Sequence, residues 1–151
     1  MPHTVFLKRI IYAEQRKTNL AGSKENMIAG LGMDIVKTER IAHLVEKYGR
    51  DFLIKVFAED ELVSFGEKLP PSEKLAGRWA AKEAVAKALG CGFGKDCAMQ
   101  DIHISNTSSG APAVFLTGNA AKKALQIDAR NIFLTISHEK DFACACAVLE
   151  K

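Results

Sequence analysis

The sequence predicts an α+β domain, a small antiparallel sheet packed on one long helix with shorter helices, and three observations carry that prediction. A glycine-bearing apolar run, Ile28–Val36, opens the ordered part of the chain. A long alanine-rich segment, Ser72–Leu89, has the spacing of a helix between a Pro70-Pro71 break and Gly90. The last third alternates apolar and polar residues between clusters of turn formers, as strands do.

Taken in order, Met1–Asn26 differs from the rest, with five basic and two acidic residues followed by a loose polar stretch. It reads as an N-terminal extension, a leader or appendage, and residues 27–151 as the domain proper. Ile28–Val36 is then a buried strand, and its glycines imply close approach of another backbone or of a ligand. Thr38 is a candidate N-cap for a helix closed by Gly49, with Ile41, Leu44, Val45 and Tyr48 as its apolar stripe. Arg40, His43 and Lys47 line one flank of that stripe. Shorter helices are expected over Asp51–Phe57 and Glu59–Lys68, with Ser72 capping the long one. Asp101–Ser105 and Pro112–Leu116 read as a hairpin around the turn Asn106–Gly110. Thr117 caps a helix through Ile127, and Asn131–Ser137 with Phe142–Leu149 form a second hairpin.

Composition narrows the function classes. With 151 residues, 48% hydrophobic and 26% charged, the chain has the make-up of one globular domain. A net charge of +3 suits an anionic ligand or an acidic partner, whereas nucleic-acid binding leaves a heavier basic footprint. No apolar run is long enough to span a membrane. Cys91, Cys97, Cys144 and Cys146 lack C-x-x-C spacing and a histidine pair, so they read as buried free thiols in a reducing, cytoplasmic compartment.

On a wheel of the long helix, Ala81, Ala84, Val85, Ala88 and Leu89 form a packing face. Arg78, Trp79, Lys82, Glu83 and Lys87 spread over the other side. Arg78 and Lys82 are like charges four apart, which costs a few tenths of a kcal/mol in an isolated helix. Either a bound polyanion relieves that repulsion or the side chains splay into solvent. Glu83 and Lys87, four apart, are either an ordinary surface ion pair or part of a site. In such a site one carboxylate among three cations suits a hard divalent metal bridging to phosphates. Asp34 is then the candidate second carboxylate, or else a cap or turn former after the strand. Gly90–Lys95 follows a helix and lacks the G-x-x-x-x-G-K-[ST] spacing, so it is a helix-ending loop and not a phosphate loop. Ser137 and His138 are adjacent on a strand and point to opposite faces, which argues against a hydrolase pair.

Gly30-Leu31-Gly32-Met33-Asp34-Ile35-Val36 with Glu39-Arg40-Ile41, the helix Leu75–Gly90, Phe57 with Glu61-Leu62, and Ile136–Phe142 together resemble the bacterial holo-[acyl-carrier-protein] synthase family. The likeness extends over Met27–Lys151. The resemblance implies transfer of 4′-phosphopantetheine from coenzyme A to a serine of apo acyl carrier protein, releasing 3′,5′-ADP, in support of fatty acid biosynthesis. It implies a homotrimer with sites between subunits, with Asp34 and Glu83 as Mg²⁺ ligands and Glu83 and Lys87 as catalytic residues. Arg78, Lys82 and Lys87 would hold coenzyme A phosphates, Ser137 and His138 would lie near its nucleotide, and Arg40 would meet the carrier protein. The general base stays open between Glu83, a water on the metal and a substrate-side group. Two rival functions are a non-catalytic module that binds carrier protein or coenzyme A, and a broad-specificity transferase of secondary metabolism. The first would be marked by loss of a metal carboxylate, and the second resembles two fused units in a longer chain.

Overall fold

The computed structural model describes residues 27–151, and the expected extension, Met1–Asn26, lies outside them. The first strand, β1 (Ile28–Lys37), leads into α1 (Thr38–Val56) and α2 (Glu59–Phe65), and then into the long helix α3 (Ser72–Leu89). A 3₁₀ turn (Met99–Asp101) precedes β2 (Ile102–Asn106) and β3 (Pro112–Leu116), and α4 (Gly118–Gln126) leads to β4 (Asn131–His138) and β5 (Phe142–Glu150). The expected antiparallel sheet is divided in two. β1, β5 and β4 form one sheet in that order, with β1 and β4 at its edges, and β2 with β3 forms a separate hairpin.

α3 crosses one face of the larger sheet, and residue size explains how closely it sits. Gly30, Gly32, Asp34 and Val36 share the inner face of β1, because side chains alternate along a strand. A Cβ at Gly32 would lie 2.0 Å from the Ala84 carbonyl oxygen, and one at Gly30 would lie 2.0 Å from that of Ala88. On β5 the matching row is Ala143, Ala145, Ala147 and Leu149, all buried. Ala76, Ala80, Ala81, Ala84 and Ala88 of α3 are buried as well, so small residues meet small residues across the whole contact. Close approach increases the number of dispersion contacts each atom makes.

The helix boundaries follow backbone chemistry. Gly49 breaks α1 with φ 50 and ψ −127, an unusual conformation that glycine tolerates. Gly90 ends α3 in the left-handed conformation, with its N–H bonded to Ala86 and Lys87 carbonyls. At the start of α1 the expectation is corrected. Lys37 occupies the capping position, and Thr38 donates its backbone N–H to Asp141 at 2.9 Å. Its buried hydroxyl has no hydrogen-bond partner among the described residues.

The four thiols are free as expected, but only Cys97 is fully buried. Cys97 is buried, and burial, with Cys91 beside it, pushes its thiol up to about 12. Cys144 and Cys146 do share a strand face, but it is the outer face, where both are half-buried. The alanines of β5 take the side against α3.

Gly32→Ala should overpack the helix–sheet contact and cost about 1–3 kcal/mol or more in a urea denaturation curve. Gly92→Ala is the control, since a Cβ there meets nothing within 4 Å. Equal stability of the two variants would contradict this packing account.

Candidate active site

The polar residues of α3 divide between two flanks of the helix. On the flank over β1, Lys87 Nζ donates to Asp34 Oδ1 at 2.8 Å and to the Met33 carbonyl at 3.0 Å. Glu83 lies one turn back. Burial, and after it the neighbouring Asp34 carboxylate, pushes the Glu83 carboxyl up, while Lys87 and Arg40 pull it part of the way back. Asp34 and Glu83 are therefore close enough to repel, and cations stand on both sides of them. Arg40 lies 5.8 Å from the Trp79 ring, which itself stacks on Phe52. Asp34, Glu83 and Lys87, which the sequence reading joined, lie in one cluster, and Arg40, which it placed apart on the flank of the first helix, stands beside them.

The other flank holds Arg78 and Lys82, and here the reading is corrected. Lys82 is fully buried and is not on a solvated or ligand-facing side. Its ammonium donates to Glu61 Oε2 at 2.6 Å, to the Met99 carbonyl and to the Ile102 carbonyl. Those three bonds use all its donors, so none is left for a phosphate. Burial lowers the Lys82 pKa, and Glu61 opposes that shift. Arg78 still opposes the Lys82 charge, but the two do not face each other across an empty surface, because Glu61 attracts both, with Arg78 Nη1 3.9 Å from its Oε1.

Glu61 enters the sequence reading only within the motif Phe57 with Glu61-Leu62, with no role assigned to its carboxylate. It sits in the acidic run Glu59-Asp60-Glu61, where a carboxylate reads as ordinary first-turn charge. Its Oε2 does accept the Ala58 N–H at 2.9 Å in that manner. Its Oε1 accepts the Ile104 N–H at 3.2 Å, while Arg78 Nη1 donates to the Ile104 carbonyl. In an antiparallel pair every second residue turns its backbone groups away from the partner strand. On β2 those groups belong to Ile102 and Ile104, and Lys82, Glu61 and Arg78 satisfy them. Three charged side chains thus dock the hairpin onto α3 where a further strand would otherwise pair. A second tie joins α2 to the same hairpin: His103 Nδ1 lies 2.7 Å from Asp60 Oδ1, and Nε2 lies 3.1 Å from Thr117 Oγ1.

Beside this docking lies a cavity of about 860 Å³. Lys68, Lys74, Arg78 and His138 line it together with Asn106 and Pro71, and among the described residues no carboxylate lies in the wall. That is the size of a small-molecule site, and its charge favours an anion. Burial lowers the Arg78 pKa, but an arginine stays charged through any ordinary shift. Ser137 and His138 point to opposite faces, as strand alternation requires. His138 reaches Gly77 and the cavity, whereas Ser137 lies on the outer sheet face opposite Cys144 and is not a lining residue. Lys68, Lys74 and Asn106 were not singled out from sequence, although the two lysines flanking Pro70-Pro71 were a visible basic signal.

A helix on a small antiparallel sheet, with a carboxylate pair on one flank and a cation-lined cavity on the other, suits a protein that handles an anionic ligand. The profile of the 4′-phosphopantetheinyl transferase superfamily matches residues 30–147, and the chain belongs to that superfamily. It is 42% identical over 123 residues to the holo-[acyl-carrier-protein] synthase of Shewanella frigidimarina, covering 82% of this chain and 98% of that protein. Among solved structures, the holo-[acyl-carrier-protein] synthase of Neisseria meningitidis superposes with a TM-score of 0.76 at 35% identity, over 83% of this chain and 100% of that one. The Helicobacter pylori holo-[acyl-carrier-protein] synthase in complex with coenzyme A gives a TM-score of 0.69 at 34% identity, over 79% of this chain and 98% of that one.

Lys82→Met should strand Glu61 in the core and cost about 3–5 kcal/mol of folding free energy. Lys87→Ala removes a half-exposed pair and should change stability by no more than about 1 kcal/mol. Denaturant titration of both variants checks the contrast, and a loss for Lys82→Met no larger than for Lys87→Ala would contradict the docking role.

Proposed function

We propose that this chain transfers 4′-phosphopantetheine from coenzyme A to a serine hydroxyl of an apo acyl carrier protein and releases 3′,5′-ADP. The observation that carries the proposal is the Asp34–Glu83 carboxylate pair with Lys87 and Arg40 beside it, on a chain that covers nearly the whole length of a holo-[acyl-carrier-protein] synthase. The serine oxygen forms a bond to the β-phosphorus, and the bond from that phosphorus to the bridging oxygen breaks with its electron pair leaving on 3′,5′-ADP. The serine proton passes to a base, with Glu83, a water and a substrate-side group such as the departing phosphate as the candidates.

The donor set fits a divalent metal. Two hard oxygen ligands lie close together. Burial, and after it the Asp34 carboxylate, makes Glu83 hold its proton more tightly, and a cation between the two would oppose both effects. Among the described residues no three His, Cys, Asp or Glu side chains converge, so phosphate and water oxygens would complete the shell. Bound there, Mg²⁺ would neutralise charge on the pyrophosphate. Lys87, 51% exposed, can turn from Asp34 to a phosphate oxygen and so act with Glu83 as the catalytic pair. Arg78 and His138 would hold the nucleotide end of coenzyme A in the cavity. Arg40, exposed beside His43 and Lys47, would meet the acidic carrier, where complementary charge speeds encounter.

The two halves of this site face apart within one chain. Asp34 lies on the β1 edge of the sheet, while the cavity opens beside β4 at the opposite edge. A homotrimer would set the β1 flank of one subunit against the cavity of the next. Support comes from the outer sheet face, where Leu31, Met33 and Ile35 are 66%, 66% and 63% exposed in line with Val148, Cys146 and Cys144 of β5. An apolar stripe of this kind marks a protein interface. Residues 27–151 would be the catalytic unit, acting in the cytoplasm. No helix of the described residues is long and apolar enough to cross a membrane, and the cysteines are free.

Mass spectrometry of apo carrier protein incubated with this chain, coenzyme A and Mg²⁺ should show the added phosphopantetheine. Asp34→Ala and Arg78→Gln should each be inactive alone, and trimers co-assembled from both should regain activity at roughly a quarter of their interfaces. Absence of the added mass would overturn the activity. Silent mixed trimers would overturn the shared site.

A further inference from the structure

Among the described residues of the cavity wall, Arg78 is the cation whose charged group is held from behind. Its Nη1 is fixed on the Ile104 carbonyl, and its Nη2 donates to Asn106 Oδ1 at 3.2 Å. The ring of Phe65 lies 5.3 Å beneath the guanidinium carbon. Asn106 is itself held, because its Nδ2 donates to the Gly110 carbonyl at 2.9 Å across the hairpin turn. That turn is closed by Thr107 N–H to the Ala111 carbonyl at 2.8 Å and by Gly110 N–H to the Thr107 carbonyl at 2.9 Å. Chemistry fixes the orientation of the Asn106 amide. Arginine only donates and a carbonyl only accepts, so a flipped amide would set donor against donor and acceptor against acceptor.

We infer that Asn106 is a positioning residue for Arg78, setting the angle at which the guanidinium meets a phosphate in the cavity. The inference rests on the proposed reading that Arg78 binds coenzyme A phosphate. A guanidinium has five N–H donors, and the contacts to Ile104 and Asn106 leave the others for a ligand. Without Asn106 the long side chain keeps one anchor and regains rotamer freedom. The ligand must then order it on binding, which lowers affinity. Glu61 cannot fill that part, since its Oε1 is 3.9 Å from Nη1 and already accepts the Ile104 N–H.

The experiment is calorimetric titration of 3′,5′-ADP into the full chain and into Asn106→Ala, Arg78→Gln and the double variant. Asn106 is exposed at a turn, so its replacement should leave the thermal midpoint close to that of the parent. Asn106→Ala should weaken 3′,5′-ADP by roughly 3–10-fold, the scale of one lost hydrogen bond. It should raise KM for coenzyme A and leave kcat and KM for the carrier protein near their starting values. Arg78→Gln should weaken the nucleotide further, and adding Asn106→Ala to it should change nothing more, because Asn106 acts through Arg78. A loss that persists in full in the Arg78→Gln background would mean that Asn106 contacts the ligand or supports the fold, and would overturn the inference. Unchanged affinity for Asn106→Ala beside a weakened Arg78→Gln would overturn it while leaving the cavity reading intact. Unchanged affinity for Arg78→Gln would remove the cavity reading and the inference together.

Discussion

The fold depends on one buried charge, the Lys82 ammonium in the middle of α3. An ammonium removed from water costs several kcal/mol unless it is paired and hydrogen-bonded throughout. Here Glu61 supplies the countercharge, and two carbonyls, from Met99 and Ile102, take the remaining protons. Those partners belong to α2, to the 3₁₀ turn and to β2, so satisfying one lysine fixes three segments on the helix. The reverse also holds. Without Lys82 and Glu61 the Ile102 carbonyl and the Ile104 N–H, which turn away from β3, would lose their partners, and buried unpaired groups of that kind are rare in native proteins.

The sheet side of α3 uses the opposite device. Glycine and alanine rows let two backbones approach with no polar partner between them, while the hairpin side is held by ions. A helix gripped in both ways is rigid, and rigidity is what a site made of fixed charges requires. Glu83 and Lys87 project over β1 and Arg78 projects toward the hairpin, because 100° per residue carries side chains of one helix to different flanks. The distance between the carboxylate pair and the anion cavity is therefore built into α3 and cannot be closed by a loop movement. This is why a site completed by a neighbouring subunit is the economical reading, and the exposed row Leu31, Met33 and Ile35 is where such a neighbour would seat.

Much of this was legible before any coordinates. Gly30 and Gly32 in an apolar run announced close packing, Gly49 and Gly90 ended helices, and the Asp34–Glu83 pair was found as two carboxylates among cations. Alternation separated Ser137 from His138, although it could not say which of them faced the helix. Lys82 was misplaced for a definite reason. A helical wheel sorts charge toward solvent by default, and only knowledge of the opposing element reveals a buried partner. Glu61 was hidden by its neighbours Glu59 and Asp60, since three acids opening a helix look alike until one of them is 2% exposed. Cys144 and Cys146, read as buried, stand half-buried on the outer face, because alternate small and medium apolar residues on β5 allow either side to turn inward.

A crystal of the full chain grown with Mn²⁺ and coenzyme A, measured at the manganese absorption edge, tests the central claim most directly. The account predicts an anomalous peak between Asp34 and Glu83 of one subunit, with the nucleotide of the same coenzyme A molecule in the cavity of its neighbour against Arg78. A metal peak away from those two carboxylates, or a coenzyme A molecule contained within a single subunit, would contradict it.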